Sequence, residues 1–339
     1  MTRSIRSLCM SNTAFGRALL QASLGLLVAI GLPCLAVAQQ TFPDKPVRLF
    51  VGFPAGGPSD LLARIVAQKL SPYWKQPVIV ENRPGASGTI AAAAVMRSAP
   101  DGYALAFGGS TAFVTYELLN PDKAPYKSFE AFEPVTYLAD QANVMLVRAS
   151  LKVNTLQEFV ALAKSKPGAL NFGSQGVGSP PHLNMELLKR AAGMDILTVP
   201  FGGSAPAIQA LLGGTIDVIF NDPQSSTSLA KDGLTKLILV TDTKRLPEFP
   251  DVPTSRELGY DVAIKSWYAF FAPKGTPKAI VDKIDADTRL VLGTDEVSAV
   301  FAQAGFRRNL LDSKSFSALM VEQHAKVGAL IKAANIKPQ

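Results

Sequence analysis

Short segments rich in β-branched and aromatic residues alternate with longer amphipathic segments along the chain from Pro46 onward. This alternation limits the possible folds more than any other feature, because it is typical of α/β proteins with largely parallel sheets. The predicted strands are residues 47–53, 78–81, 104–107, 135–138, 145–148, 170–172, 217–220 and 237–240. The predicted helices are residues 59–72, 89–97, 155–166, 181–192, 205–212, 277–292 and 313–334.

The alternation continues beyond the size at which one sheet usually ends, so the sequence predicts two lobes. Chain crossings are expected near residues 139–145 and 260–266, after which the final helices return to the first lobe. The first lobe is then discontinuous, with residues 39–141 and 263–339, and the second lobe is residues 142–262. Two covalent crossings are the arrangement expected for a hinge that closes on a ligand.

Residues 1–38 have the pattern of a secretory signal peptide: arginines, then an uncharged apolar stretch, then a small-residue triplet. The pattern predicts cleavage after Ala38 and a mature protein in the periplasm. The alternative is an uncleaved membrane anchor, because the charge-free stretch runs to Pro43 and is nearly long enough to span a bilayer. Polar residues and a proline within the stretch favour cleavage. A lipid anchor on Cys34 is not expected, because Pro33 stands where a small residue would precede a lipidated cysteine.

The composition excludes several kinds of site from the mature chain. The full sequence has two cysteines, Cys9 and Cys34, and both lie in the predicted signal. The remaining chain therefore has no thiol for a disulfide or a thiolate metal site. Loss of the signal removes three arginines and lowers the formal net charge from +7 to +4. This modest excess, without a run of lysine and arginine, does not indicate nucleic-acid binding. Neither a metal nor a cofactor is expected.

The segment FPAGGPSD, residues 53–60, directly follows one predicted strand and precedes a predicted helix. Its two glycines permit backbone conformations closed to other residues, and its proline and serine suit the entrance of a helix. Exposed N–H groups at the positive end of a helix favour an anion at the carboxyl edge of the sheet. The alternative is an ordinary turn with Ser59 or Asp60 as the N-cap. A nucleotide P-loop is excluded, because the final Lys-Ser/Thr pair is missing.

Two further segments have the same character. GSQGVGSPP, residues 173–181, and FGGSAP, residues 201–206, each link a strand to a helix. One such turn is common in any α/β protein. Three glycine-rich helix entrances spread over two lobes can converge on one cleft, so the sequence predicts an anion site between the lobes.

Five segments together carry a resemblance to a known family over essentially the whole mature chain. They are FPAGGPSD, VIVENRPGASGT, VPFGGSAPAIQALLGGTIDVIFND, LVTDTKRLPEFPDVPTSRELGYD and WYAFFAPKGTP. In this order they resemble the Bug family of periplasmic solute-binding receptors, which are associated with tripartite tricarboxylate transporters. The resemblance implies a two-lobed, type II-like periplasmic-binding-protein fold with a hinge and an inter-domain cleft. It also implies a monomer that captures a small organic carboxylate and delivers it to transporter subunits in the inner membrane.

The resemblance further implies how the carboxylate is held. Backbone amides, hydroxyls and ordered waters from two opposed loops hold it, rather than an arginine clamp. The residues assigned to ligand binding in this way are Pro54, Ala55, Gly56, Gly57, Ser59, Asp60, Ser110, Thr111, Gly173, Ser174, Gly176, Gly178, Ser179, Phe201, Gly202, Gly203, Asn221 and Asp222. Two details differ from commoner members of the family. Gly202-Gly203 lacks a lysine often found at this turn, and Ala86-Ser87 replaces part of the usual glycine-rich sequence after Arg-Pro-Gly.

An enzyme, a hydrolase or lyase acting on a small carboxylate in the same cleft, is the alternative function. His182 and His324 are the only histidines, and neither is spaced for a zinc site with nearby carboxylates. No Gly-x-Ser-x-Gly turn marks a nucleophile. We expect His182 to be a partly exposed histidine at a helix entrance. We also expect Trp267 to pack beneath the pocket rather than line it, and Asp222 to face the cleft.

Overall fold

The computed structural model describes residues 42–337, and of Ala334 it describes the backbone alone. The predicted signal peptide and its cleavage after Ala38 lie outside the described residues. Among residues 42–337, no helix combines the length and the hydrophobicity that crossing a membrane requires.

The first sheet has six strands. They are β1 (Val47–Val51), β2 (Val78–Asn82), β3 (Ala104–Gly108), β4 (Phe132–Gln141), β10 (Ser266–Pro273) and β11 (Arg307–Leu311). Their order is β11-β4-β10-β3-β1-β2. β1 pairs in parallel with β2 and β3, whereas β10 is antiparallel to β3 and β4, and β11 is antiparallel to β4. The sheet therefore joins a parallel part to an antiparallel part.

The second sheet has five strands. They are β5 (Val144–Arg148), β6 (Asn171–Ser174), β7 (Leu197–Pro200), β8 (Val218–Asn221) and β9 (Thr235–Val240). Their order is β7-β6-β8-β5-β9. β6 is parallel to β7 and β8, and β5 is antiparallel to β8 and β9.

Helices cover both sheets. They are α1 (Pro58–Trp74), α2 (Thr89–Met96), α3 (Tyr116–Leu119), α4 (Ser128–Ala131), α5 (Leu156–Ser165), α6 (Pro180–Ala192), α7 (Ser204–Leu212), α8 (Pro223–Lys231), α9 (Lys278–Leu292), α10 (Asp295–Gln303) and α11 (Ser313–Ala334). A π-helix, Thr111–Thr115, precedes α3 directly, and 3₁₀ turns occupy Ala86–Gly88 and Ala149–Leu151. α9 and α11 pack on β4, so the C-terminal helices return to the first sheet.

Each sheet has its own apolar core. In the first, the rings of Phe113 and Phe271 stack with centroids 3.7 Å apart, and Phe132 and Phe316 meet them edge-on. In the second, buried side chains of β5, β6 and β8 pack against α5 and α6. Leu183 of α6 also packs into the first of these cores, so apolar as well as polar contacts join the two lobes.

The chain crosses between the sheets at two places that touch each other. Ala142 and Asn143 link β4 to β5, and Asn143 exchanges hydrogen bonds with Thr241 at the end of β9. The second crossing leads into β10, where the Asn143 amide lies 3.3 Å from the Ser266 hydroxyl. On the second lobe, the Asn184 side chain both donates to and accepts from the backbone of Ile264. The lobe boundaries at 141/142 and 262/263 stay a prediction.

The structure differs from the predicted elements in three respects. The sheets are mixed rather than largely parallel, because β5, β10 and β11 each run against their neighbours. The strands β7, β10 and β11 and the helices α3, α4, α8 and α10 have no counterpart among the predicted strands and helices. The first strand ends at Val51, so Phe53 belongs to the turn that follows.

Candidate functional site

Four helices begin at one cleft between the two sheets. Their N-cap residues Gly57, Ser179, Gly203 and Asp222 all line it. The cleft holds about 720 Å³, including its opening to solvent. Its other lining residues are Phe53, Pro54, Pro58, Ser59, Gly109, Ser110, Thr111, Gln141, Asn143, Gln175, Pro180, Pro181, Ser204, Ala205, Ser266, Trp267 and Tyr268.

The electrostatic character of this cleft comes from the backbone. Among its lining residues, Asp222 is the one charged side chain, and lysine, arginine and histidine do not contribute. The positive ends of four helix dipoles meet there instead. A cleft of this kind binds an anion through N–H and hydroxyl groups.

The entrance of α1 supplies the first of these groups. Gly57 is extended, with φ −86° and ψ 171°, and Pro58 occupies the first helical position. Leu61 donates its N–H to the Gly57 carbonyl, so the N–H groups of Ser59 and Asp60 have no acceptor within the helix. Ser59 lines the cleft and brings both an N–H and a hydroxyl to it.

Asp60 stabilises this turn through hydrogen bonds and does not line the cleft. Its buried carboxylate accepts hydrogen bonds from the Gly56 N–H, from Arg64 and from Asn82. Burial would raise the pKa of the Asp60 carboxyl, but these hydrogen bonds outweigh burial and lower it. The bond to Gly56 fixes a residue with φ 82°, a conformation that favours glycine.

The entrance of α6 is held by a buried histidine. The Gly178 N–H donates to Nδ1 of His182 at 2.9 Å, and the His182 N–H donates to the Ser179 hydroxyl. Burial lowers the pKa of the His182 imidazole, with Lys189 adding to the effect and Glu186 opposing it. The prediction of a partly exposed histidine is wrong, because only 1% of His182 is exposed. Its ring orders the loop rather than reaching the cleft.

Asn221, fully buried at the end of β8, joins three cleft-lining segments. Its Oδ1 accepts from the Ser204 hydroxyl at 2.6 Å and from the Gln175 amide at 2.9 Å. Its Nδ2 donates to the hydroxyls of Ser225 and Ser226 in α8. Asn221 therefore fixes the entrance of α7, the loop after β6 and the entrance of α8 in one network.

Asp222 faces the cleft, as the sequence predicts, and also caps α8. Its carboxylate accepts the N–H and the hydroxyl of Ser225 at 2.8 and 2.5 Å. Burial raises the pKa of the Asp222 carboxyl, although the hydrogen bonds from Ser225 oppose this. Ser225 therefore occupies both carboxylate oxygens of Asp222.

The first lobe closes the cleft with hydroxyl groups and aromatic rings. Ser110 and Thr111 stand at the start of the π-helix, opposite the helices of the second lobe. Trp267 packs on Tyr137 and Phe316, as predicted, but it also lines the cleft, so the prediction that it would not line the pocket is wrong. Tyr268 is buried, and its hydroxyl lies 3.4 Å from the Gln141 amide oxygen.

The structure brings eight of the predicted site residues to the cleft: Pro54, Gly57, Ser59, Ser110, Thr111, Ser179, Gly203 and Asp222. The other ten lie outside its lining: Ala55, Gly56, Asp60, Gly173, Ser174, Gly176, Gly178, Phe201, Gly202 and Asn221. Packing explains several of the latter. A Cβ on Gly173 would approach Ile216 to 2.2 Å, and Ser174 is fully buried.

Sequence reasoning missed the cleft residues contributed by the crossings. Gln141, Asn143 and Ser266 line the cleft because the two crossings pass directly beneath it. Such polar residues carry no motif, and the weak signal was their position at the ends of strands. Within the described range, His, Cys, Asp and Glu side chains nowhere gather in threes as they would around a metal ion.

Two sheet-based lobes around a cleft lined by helix N-termini define a two-lobed solute-binding protein. The sequence also matches one particular family of such proteins. Residues 62–336 match the model described as "Tripartite tricarboxylate transporter family receptor", and the chain belongs to this family.

Solved structures of related proteins agree with this assignment. The periplasmic binding protein BugD is 33% identical, with a TM-score of 0.80 over 88% of this chain and 100% of BugD. Rpa4515 of R. palustris, solved with adipate, is 30% identical, with a TM-score of 0.84 over 88% of this chain and 100% of its own. MatC (Rpa3494) from Rhodopseudomonas palustris, solved with bound malate, is 31% identical, with a TM-score of 0.79 over 86% of this chain and 100% of MatC. The two-lobed fold expected from the sequence is confirmed.

Proposed function

We propose that this protein is a non-catalytic receptor that captures a small organic carboxylate in the cleft between its lobes. The observation that carries the proposal is the meeting of four helix N-termini in a cleft without lysine, arginine or histidine. Such a cleft provides N–H and hydroxyl donors in the geometry that a carboxylate accepts. The relatives solved with adipate and with malate support this ligand class.

The ligand contacts proposed for this cleft are the predicted residues that line it. Ser59 supplies an N–H and a hydroxyl from the first lobe, and Ser110 and Thr111 add further hydroxyls. Ser179 and the turn at Gly203 face them from the second lobe. Asp60, His182 and Asn221 hold these donors in place and do not themselves touch the ligand.

The chemistry of the buried groups favours a receptor over a hydrolase or lyase. His182 would be the natural general base, but its Nδ1 accepts the Gly178 N–H and its ring does not line the cleft. Asp222 is occupied in capping α8. We propose that the ligand leaves the protein chemically unchanged.

The two crossings are proposed as a hinge between lobe 1 (39–141 and 263–339) and lobe 2 (142–262). Contacts already join the lobes at the cleft: the Ser87 hydroxyl donates to the Val177 carbonyl, and a Cβ on Gly203 would lie 3.2 Å from Pro54 Cδ. A ligand held from both sides favours this closed arrangement. Solution scattering with and without a bound carboxylate is expected to show a smaller radius of gyration in its presence. Tight binding without any change in radius would contradict the hinge.

The receptor is proposed to act in the periplasm as a monomer, after cleavage behind Ala38, and to deliver its ligand to the membrane subunits of a tripartite transporter. Family membership supports this role. N-terminal sequencing of the exported protein tests the cleavage site, since a chain that still begins at Met1 would contradict it.

Mass spectrometry of the small molecules released from natively purified protein tests the function itself. We expect a carboxylate that is recovered unchanged after prolonged incubation with the protein. Near-saturation, at a free ligand concentration of about 100 times Kd, is expected to stabilise the fold by ~2.7 kcal/mol. Conversion of the released molecule to a product would indicate an enzyme instead.

A further inference from the structure

A second cavity lies behind the cleft, and we call it the rear pocket. It encloses about 990 Å³, including its opening to solvent. The residues that line it are Ser110, Thr115, Tyr137, Leu183, Ala263, Ile264, Lys265, Trp267, Asn309, Leu319, Gln323, Lys326, Val327 and Leu330. Ser110 and Trp267 also line the cleft, so these two residues form the wall between the two spaces.

Two buried polar atoms belong to the wall of the rear pocket. Among the described residues, neither the Thr115 hydroxyl nor Nε1 of Trp267 has a hydrogen-bond partner. Thr115 is fully buried and Trp267 is 5% exposed. An unmet buried donor is unfavourable, so a small movement of this wall that opens the two donors to the pocket would let a ligand supply the missing acceptor.

The charged side chains that line the rear pocket are all positive. Lys265 and Lys326 line it, and its lining residues include no aspartate or glutamate. Both lysines have partners outside the lining: Lys265 pairs with Asp242 at 3.1 Å, and Lys326 pairs with Glu322 on its own helix. The lysine at 326 is largely exposed and its pair is an i,i+4 surface pair, which contributes little and leaves the ammonium available to an anion.

The remaining wall is apolar. Leu183, Ile264, Leu319, Val327 and Leu330 surround the space between these charges and the indole of Trp267. An apolar wall with a few polar groups is typical of small-molecule sites. An ion that is polar on all sides would leave this surface without a partner.

We propose that the rear pocket is a second binding site, which takes an amphipathic monocarboxylate with a hydrocarbon or aromatic body. The carboxylate lies beside Lys326, on the side of the pocket formed by Thr115 and Trp267, and the body packs on the leucines of α11. This site is separate from the cleft and does not depend on the cleft's function. The π-helix spans both, with Thr111 at the cleft and Thr115 at the rear pocket.

Octanoate is a suitable probe, and calorimetric titration of three variants tests the proposal. Gly57→Val obstructs the cleft and leaves the rear pocket unchanged. Gln323→Trp fills the rear pocket from a partly exposed position on α11, and Ala325→Trp places the same ring on an exposed position of that helix outside the pocket. We expect octanoate to bind wild type, Gly57→Val and Ala325→Trp alike, and to bind Gln323→Trp at least about tenfold more weakly.

A second pair of variants identifies the polar end. Lys326→Gln is expected to weaken octanoate binding by about tenfold, whereas Lys332→Gln, further along α11 and outside the pocket, is expected to leave it unchanged. Loss of octanoate binding in Gly57→Val would overturn the proposal, because the molecule would then occupy the cleft. Equal binding to Gln323→Trp and Ala325→Trp would overturn it as well. Adipate and malate titrations of the same proteins report on the cleft independently, so failure of one site is distinguishable from failure of the other.

Discussion

The Ser204 hydroxyl lies 2.6 Å from the amide oxygen of Asn221. This contact joins the first residue of α7 to the last residue of β8, and the same amide also binds Gln175 and α8. The cleft therefore has its donors set by a buried side chain that never reaches the cleft itself. A strand end is a rigid support, which suits a site that must hold several N–H groups in one geometry.

Asn221→Ala is expected to weaken carboxylate binding by at least about tenfold and to lower the free energy of unfolding by about 2–3 kcal/mol. The reason is that Ser204, Gln175 and the α8 hydroxyls lose a common partner, and Ser204 and Ser226 remain buried without it. Urea unfolding and calorimetry measure the two effects. Asn154→Ala, on an exposed turn, serves as the control and is expected to leave binding unchanged. Wild-type affinity in Asn221→Ala would contradict the supporting role.

His182 is expected to make stability depend on pH near neutrality. Its folded pKa lies below the unfolded value of 6.5, so the unfolded chain binds a proton first as the pH falls. The stabilising contribution of neutral His182 is therefore complete above about pH 6.5 and decreases below it, by up to about 1.4 kcal/mol per pH unit until the folded pKa is reached.

Comparison with His182→Asn isolates this effect, because asparagine keeps an acceptor near the position of Nδ1 and does not titrate. Thermal unfolding between pH 7.5 and 5 is expected to show wild type losing stability faster than the variant. Parallel curves would mean that burial does not lower the pKa of the His182 imidazole in the folded protein.

Asp60→Asn is expected to lower stability by ~2 kcal/mol at pH 7 and to weaken carboxylate binding. The carboxylate accepts from Gly56, Arg64 and Asn82, and it fixes the turn that carries Ser59. Because the folded pKa of Asp60 is lowered, its contribution is present above the unfolded value of about 3.9 and is lost as the pH falls through the folded pKa. Denaturant unfolding of both proteins should show a constant difference from pH 7 to 5 that shrinks below about pH 4.

The glycine-rich entrances were predictable because turn chemistry is local. Glycine, proline and serine after a strand favour a turn that begins a helix. The turns at Gly57, Ser179 and Gly203 follow from this local preference. Their convergence depends on topology, which the sequence indicated through its alternation. Gly57 itself does not need the freedom of glycine, since its φ is −86° and a Cβ there would meet only the Pro54 carbonyl at 3.6 Å.

The strands and helices that the sequence did not predict have weak or conflicting local sequence patterns. β10 is a continuous aromatic run buried on both faces, and periodicity does not separate such a strand from a buried helix. α8 is rich in serine and threonine, and it depends on the Asp222 cap and Pro223 for its start. β11 is an edge strand with largely polar, partly exposed residues. The direction of β5 and β10, the two strands that follow the crossings between the lobes, depends on long-range topology rather than on local sequence.

Titration of Gly57→Val and Gly202→Val against malate, adipate, citrate and benzoate tests the central claim most directly. A Cβ on Gly202 meets nothing within 4 Å and lies outside the cleft, whereas Gly57 lines it. Both variants are expected to unfold within about 0.5 kcal/mol of wild type. For the carboxylate that wild type binds most tightly, Gly57→Val is expected to lower the affinity at least about 100-fold and Gly202→Val less than about twofold. Unchanged affinity in a correctly folded Gly57→Val protein would contradict capture of the carboxylate in this cleft.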